Sequence, residues 1–209
     1  MFQTLRNTIS HWAVPSLTVA LACAVFFAPY NLEELFRYER ALILDGDYWR
    51  LVSGHFVHAN LNHLLVNCLA LVLCWTLFTN RQPQHHVLIG LVTLSLLTGL
   101  SLFIFADRLD DFLGLSGLIH ALLALGATVE IFERSSRWRG LFLLLLLSVK
   151  VYSEWFGTMG SVVERWTGVA VIFETHFWGV ASGVCVGIAV ALGIRLGQLL
   201  ARGAGTLRG

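Results

Sequence analysis

Long apolar runs separated by short polar stretches make up almost the whole of this chain. Trp12–Pro29 comes first, then Phe56–Phe78, whose polar residues are confined to its first half. Val87–Ala106 carries no charge, and Phe112–Phe132, Gly140–Phe156 and Val169–Ile194 complete the series, with Lys150 inside the fifth run. Runs of this kind have membrane-spanning length. In lipid every backbone N–H and C=O must be satisfied within its own segment, so the form predicted for them is helix. The pattern therefore predicts an all-α integral membrane protein, a six-transmembrane-helix bundle over residues 12–196, with a short tail over 1–11 and a C-terminal tail over 197–209. Arg6 and Ala22-Cys23-Ala24 imitate a secretory signal and its cleavage site. The apolar run continues past them to Pro29, which reads as a retained helix.

Composition agrees: 56% of residues are hydrophobic and 13% charged, which excludes an ordinary soluble domain. A formal net charge of +1 gives no reason to expect a nucleic-acid partner; the expected surroundings are a lipid bilayer. With the N-terminus inside, the cytoplasmic segments hold eight basic residues (Arg6, Arg81, Arg134, Arg137, Arg139, Arg195, Arg202, Arg208) against six outside (Arg37, Arg40, Arg50, Arg108, Lys150, Arg165). The excess places both termini in the cytoplasm. Cys23, Cys68, Cys74 and Cys185 all lie inside spans and form no CxxC pair, so they read as buried apolar residues, with no disulfide framework, metal cluster or cofactor expected.

Two outer connections carry more pattern than the rest. Asn31–Tyr48 mixes Leu32, Leu35, Phe36 and Tyr38 with Glu33, Glu34, Arg37, Glu39 and Arg40, the composition of an interfacial helix. Asp45-Gly46-Asp47 reads as a turn, and Tyr48-Trp49-Arg50 as anchoring at the membrane surface. Glu154–Gly168 sets Gly157, Gly160 and Gly168 among Trp155, Phe156 and Trp166, which suits either a flexible cap over a hydrated site or an interfacial anchor.

Candidate chemistry gathers at the outer ends of three spans. Gly114-Leu115-Ser116-Gly117-Leu118-Ile119-His120 follows an acidic loop (Asp107, Asp110, Asp111) and opens the fourth span. A serine there faces the unpaired N–H groups and positive dipole end of a helix. Gly114 and Gly117 strip side-chain bulk from either side, which suits a nucleophile beside oxyanion donors as well as a simple packing start. The second span opens with His55, His58, Asn60, Asn62, His63 and Asn67. Polar residues at this density inside a membrane are costly and mark function. His63 and Asn67 are four apart, on one helical face, and both can donate hydrogen bonds. His58 fits a structural bond to neighbouring backbone. His-x2-His-x4-His also offers three metal ligands, though no acid or cysteine joins them nearby. The sixth span repeats glycine at Gly179, Gly183 and Gly187, a flat face for close helix contact. Its natural partner is the row Gly117, Ala121, Ala124 and Thr128 of the fourth span, and packing of the two rows brings His176 to Ser116 as a general base. No third member is apparent; Glu174 reads as a loop-end charge.

Taken in order, Trp49-Arg50, His58-x4-His63-x3-Asn67, Gly114-x-Ser116-Gly117 and His176-x2-Gly179-x3-Gly183 resemble the rhomboid intramembrane serine proteases, from Trp49 to Gly187. The resemblance implies a six-helix rhomboid-like bundle with Ser116 as nucleophile and His176 as base. It also implies an oxyanion hole from His63, Asn67 and the Ser116 backbone N–H, with Gly114 in the nucleophile motif. Rhomboids commonly carry a tyrosine four residues after the serine, packed on the catalytic histidine; here His120 stands in that place, either as packing partner or as hydrogen-bond partner of His176. A histidine there, in a small chain, is similar to the rhombosortase branch. That likeness implies cleavage of C-terminal anchors (Gly-Gly, an apolar helix, basic residues) at the periplasmic face of a bacterial inner membrane. Rival readings are a general rhomboid protease, a rhomboid-fold protein that binds membrane clients without cutting them, and a small-solute or metal transporter. Pseudoproteases usually lack the serine or the histidine, and a transporter predicts an internal repeat that is not found.

Overall fold

The computed structural model describes residues 11–28, 32–78, 83–157 and 162–206. Arg6 and the tail before residue 11, Pro29, Asn31, Arg81, Gly160 and Arg208 lie outside the described residues. Among those described, six helices of 15 residues or more stand where the apolar runs are. They are joined by shorter elements in the order α1 (Ala13–Phe27), α2 (Leu32–Phe36), β1 (Tyr38–Glu39), α3 (Arg40–Leu44), α4 (Arg50–Ser53), α5 (Leu61–Phe78), α6 (Gln84–Phe105), β2 (Asp111–Phe112), α7 (Ser116–Phe132), α8 (Arg137–Trp155), α9 (Val162–Thr167) and α10 (Phe173–Thr206). Three helices are long and apolar enough to cross a membrane: α5, α6 and α10 over Phe173–Ala201. The apolar α1 and α7 are shorter, and α8 carries Arg137, Arg139, Lys150 and Glu154 along its length. The last helix continues beyond Ile194 to Thr206, so most of the expected C-terminal tail is helical.

The centre of the bundle is α7, buried along most of its length. It packs against α10, α8, α6 and α5, and Leu118, Ile119 and Leu122 share one core with Leu64, Leu71, Trp75, Leu91 and Leu94. Its tightest neighbour is α10, because the two small-residue rows interlock as their spacing predicts. A Cβ added at Gly179 would run into the Gly117 carbonyl, one at Gly183 into the Ala121 carbonyl, and one at Gly187 would stand 2.7 Å from Thr128 Cβ. On another face of α7, Gly140 of α8 makes a similar approach to the Ala127 carbonyl, and Glu130 pairs with Arg139. Gly99 of α6 closes on the Leu51 carbonyl.

The outer connection is not the single interfacial helix expected. It breaks into α2 and α3 with β1 between them, and β1 pairs antiparallel with β2, Tyr38 opposite Phe112. Burial explains the break. Tyr38 is fully buried and its ring lies 4.7 Å from that of Phe112, a contact that a continuous helix lying on the surface cannot make. Two arginines fasten the platform. Arg40 donates to the carbonyls of Phe103 (2.7 Å), Ala106 (2.8 Å) and Leu109 (3.2 Å), satisfying the open C-terminal end of α6. Arg50 is only 4% exposed; it donates to the Glu34 and Arg37 carbonyls and pairs with Asp47. Of the two residues read as surface anchors, Trp49 is half exposed, whereas Arg50 is an internal clamp. The platform reaches the serine segment through a backbone bond from the Gly114 N–H to the Gly54 carbonyl, 3.1 Å.

Gly183→Val forces α7 and α10 apart, and its stability in detergent is expected to fall by about 1–3 kcal/mol, the usual cost of overpacking a well-filled contact. Gly193→Ala lies on the same helix with no neighbour within 4 Å and is expected to leave the unfolding midpoint the same or slightly higher. Denaturant titration of both variants beside the parent checks the pair.

Candidate active site

Ser116 is the first residue of α7, preceded by Leu115 and by Gly114 at φ +117°. Only glycine adopts that backbone conformation without strain, and it turns the chain from β2 into the helix. Bareness matters as much as the angle. A Cβ on Gly114 would stand 2.8 Å from the His63 ring and 3.5 Å from Asn67 Nδ2. The pair on α5 therefore converges on the residue two before Ser116, from one helical face. Asn60 caps that helix by accepting from the His63 N–H at 2.9 Å. Among the described residues, the buried Asn67 Nδ2 donates to no protein group, so its hydrogens remain available.

The other histidines of this segment have other work. His58 donates from Nδ1 to the Phe56 carbonyl at 3.2 Å, the structural bond expected of it, and its ring lies 5.1 Å from that of His63. His55 donates from Nε2 to the Ser95 carbonyl at 3.1 Å. Among the described residues no group of three or more His, Cys, Asp or Glu could hold a metal ion. Both rings lie in the connection before α5. Burial pushes His55 down to about 4, and burial with the nearby His63 does the same to His58. Each is therefore uncharged near neutrality.

His176 arrives from α10. The helix backbone from Thr175 to Gly179 lies directly on the first turn of α7: a Cβ on Gly117 would stand 2.9 Å from the Thr175 carbonyl. This contact sets the His176 ring on that of His120, centroids 4.0 Å apart and planes 15° from parallel. His120 in turn donates from Nδ1 to the Ser116 carbonyl at 2.7 Å. Of the two roles open to His120, the geometry realises packing: it stacks on His176 and spends its hydrogen bond one turn back on its own helix.

One neighbour was not foreseen. His176 Nδ1 lies 2.7 Å from Glu154 Oε2. Lys150 Nζ lies 2.5 Å from Glu154 Oε1 and 3.5 Å from His176 Nδ1. Where no third member was expected, a carboxylate reaches the imidazole from the end of α8, while Glu174 stands in the first turn of α10 itself. The signal for it lay in Lys150 and Glu154, an oppositely charged pair four apart in an apolar helix, where charge is costly and marks function. Glu154 at the end of its run looked like the start of a loop.

The short helix α9 meets the start of α5. Asn60 Nδ2 donates to the Thr167 carbonyl (2.7 Å) and Asn62 Nδ2 to that of Trp166 (3.0 Å). The stretch read as cap or anchor is thus tied to the start of α5, with Trp155 and Trp166 largely exposed. A serine at a helix N-terminus, a buried imidazole with one nitrogen engaged, and unpartnered side-chain donors beside Gly114 form a set of groups that acyl transfer can use.

Acid exposes the state of the buried rings. His55 titrates at about 4 in the fold against 6.5 when free, so the unfolded chain takes up protons first. Stability is full above pH 6.5 and is lost as pH falls toward 4. Unfolding midpoints measured between these limits are expected to drop, with a flatter slope in His55→Gln.

No curated protein matches the chain. The Rhomboid domain matches it over residues 45–193, from the turn before α4 into α10, and so includes Gly114, Ser116, His63, Asn67 and His176. The chain belongs to the rhomboid family, whose members are generally serine proteases that cut within the membrane.

Proposed function

We propose that this chain is an intramembrane serine endopeptidase in which Ser116 is the nucleophile and His176 its base. The observation that carries the reading is the contact of α10 on the first turn of α7, which stacks His176 on His120 one turn from Ser116. His176 Nδ1 is engaged by Glu154, so Nε2 is the nitrogen that takes the proton from Ser116 Oγ as the hydroxyl attacks the scissile carbonyl. His63, the Asn67 amide and the Ser116 N–H donate to the oxyanion; the Gly114 approach and the uncommitted Asn67 hydrogens support this. The proton then passes from Nε2 to the leaving amine, and water releases the acyl-enzyme. All six long helices cross the bilayer in this reading. Both termini lie in the cytoplasm of a bacterial cell, and the site opens to the periplasmic side of the inner membrane, as the basic-residue bias suggests.

The substrates in this reading are single-span membrane proteins, and more narrowly secreted proteins that end in Gly-Gly, an apolar helix and basic residues. His120 supports the narrower, rhombosortase-like assignment, because it takes the packing place of the usual tyrosine. A Gly-Gly sequence also unwinds easily, as a peptide must to reach a serine set against a helix end.

Processing of a reporter with that C-terminal anchor, co-expressed in a bacterial membrane beside a conventional rhomboid substrate, tests both levels. Wild type is expected to trim the Gly-Gly reporter, and Ser116→Ala and His176→Ala to leave it whole. Cutting of the conventional substrate alone overturns the branch and keeps the protease. Trimming by Ser116→Ala overturns the nucleophile, and no cutting of either substrate favours a client-binding protein. Asn67→Ala is expected to slow cleavage by about 10²–10³-fold, the effect of losing one oxyanion donor. His120→Tyr is expected to keep most of the activity that His120→Ala loses.

A further inference from the structure

We propose that Glu154 is a positioning residue for His176, so that the site works as a serine–histidine–glutamate relay with Lys150 as the counter-ion of its acid. This rests on Ser116 and His176 acting as above. Both side chains of the His176–Glu154 pair are buried, 6% and 8% exposed, so water neither competes for the 2.7 Å bond nor screens it. An ionised carboxylate only accepts, so the proton of the neutral imidazole sits on Nδ1 and the lone pair on Nε2. With the ring plane set by the His120 stack, this bond sets the rotation of the ring within that plane. Neither contact alone aims Nε2.

The relay also places charge where it is needed. When Ser116 Oγ bonds to the scissile carbon, its proton moves to Nε2 and the ring becomes an imidazolium. Glu154 stabilises that cation and stays ionised throughout; the Nδ1 proton remains in the His176–Glu154 bond, and the Nε2 proton leaves with the amine as the C–N bond breaks. A buried carboxylate needs a partner in the resting state as well, and Lys150 provides it on the other oxygen from the half-exposed face of α8. Leu147 and Val151 of the same helix are buried, so the packing of α8 fixes the reach of both charged residues. A helix that reads as leucine-rich filler thereby orients the base.

A fluorophosphonate probe, which bonds to an activated serine with loss of fluoride, tests this without a known substrate. Labelling of wild type and its absence in Ser116→Ala establish the nucleophile; labelling that persists in Ser116→Ala, or that wild type lacks, overturns the reading on which the relay rests. Given the first result, Glu154→Gln is expected to slow labelling by about 10²–10⁴-fold, and to lower kcat on the reporter with KM within a few-fold. Glu154→Asp is expected to regain much of the rate, because it restores a carboxylate beside the imidazole. Equal labelling by Glu154→Gln and wild type overturns the relay and leaves Ser116 and His176 in place. Nitrogen-15 spectra of histidine-labelled wild type give a second readout that needs no variant to fold: His176 protonated on Nδ1 supports the relay, and on Nε2 overturns it.

Discussion

Two helix backbones come into contact along one row of small residues, and the rest of the molecule is arranged around that contact. In lipid the hydrophobic effect does little to hold two apolar helices together, because a lipid tail is as good a neighbour as a leucine; close packing is what remains. Gly117, Gly179 and Gly183 supply it by carrying no Cβ where the carbonyls of Thr175, Gly117 and Ala121 on the facing helix come in. The closeness also sets the geometry of the candidate site. His176 follows Thr175, whose carbonyl rests on Gly117, and it is this distance that stacks its ring on His120. A methyl group at either glycine adds width to the seam at the very turn where the serine begins.

Around the seam the protein satisfies polar groups that lipid cannot. The C-terminal carbonyls of α6 are taken by Arg40, the carbonyls of the α2 region by Arg50, and the start of α5 by Asn60. Each of these side chains would be an expensive guest in the membrane if it merely sat there. They join the outer platform to the helix ends, and the Gly114–Gly54 backbone bond passes that rigidity to the serine segment. Gly114 can then hold its positive φ while His63 and Asn67 close on it. The site is thus built from helix ends, where unpaired N–H groups and polar side chains already meet, with the buried body of α7 as its support.

Charge on α8 completes the picture. Lys150 and Glu154, together with Arg137 and Arg139, weaken the apolar character of their helix, so it does not stand among the clearly membrane-spanning ones. Their pairing with each other lowers that cost, and their place beside His176 is the one that the proposed relay uses. A lysine that looks like a blemish in a leucine-rich run turns out to hold the acid next to the imidazole.

The sequence by itself determined the helices, their order and the small-residue faces on which the fourth and sixth runs meet. Apolar length and the ban on open backbone in lipid leave little else for such runs to do, and glycine spacing is read directly because i, i+4 positions align on one side of a helix. The approach of His176's helix to that of Ser116 was legible for the same reason, because the two carry complementary small-residue rows; His63 and Asn67, four apart on one helical face, meet at Gly114. Tertiary structure alone decided what depends on contacts between distant segments. It broke the Asn31–Tyr48 connection into two helices and a strand, because Tyr38 had a buried place against Phe112. It turned Arg50 from a surface anchor into a clamp. It chose stacking over hydrogen bonding for His120, and it brought Glu154 to His176 across 22 residues of chain. Helical periodicity tells which side chains share a face, but the side chain met across a gap between helices is set by crossing angle and packing, and no local pattern encodes these.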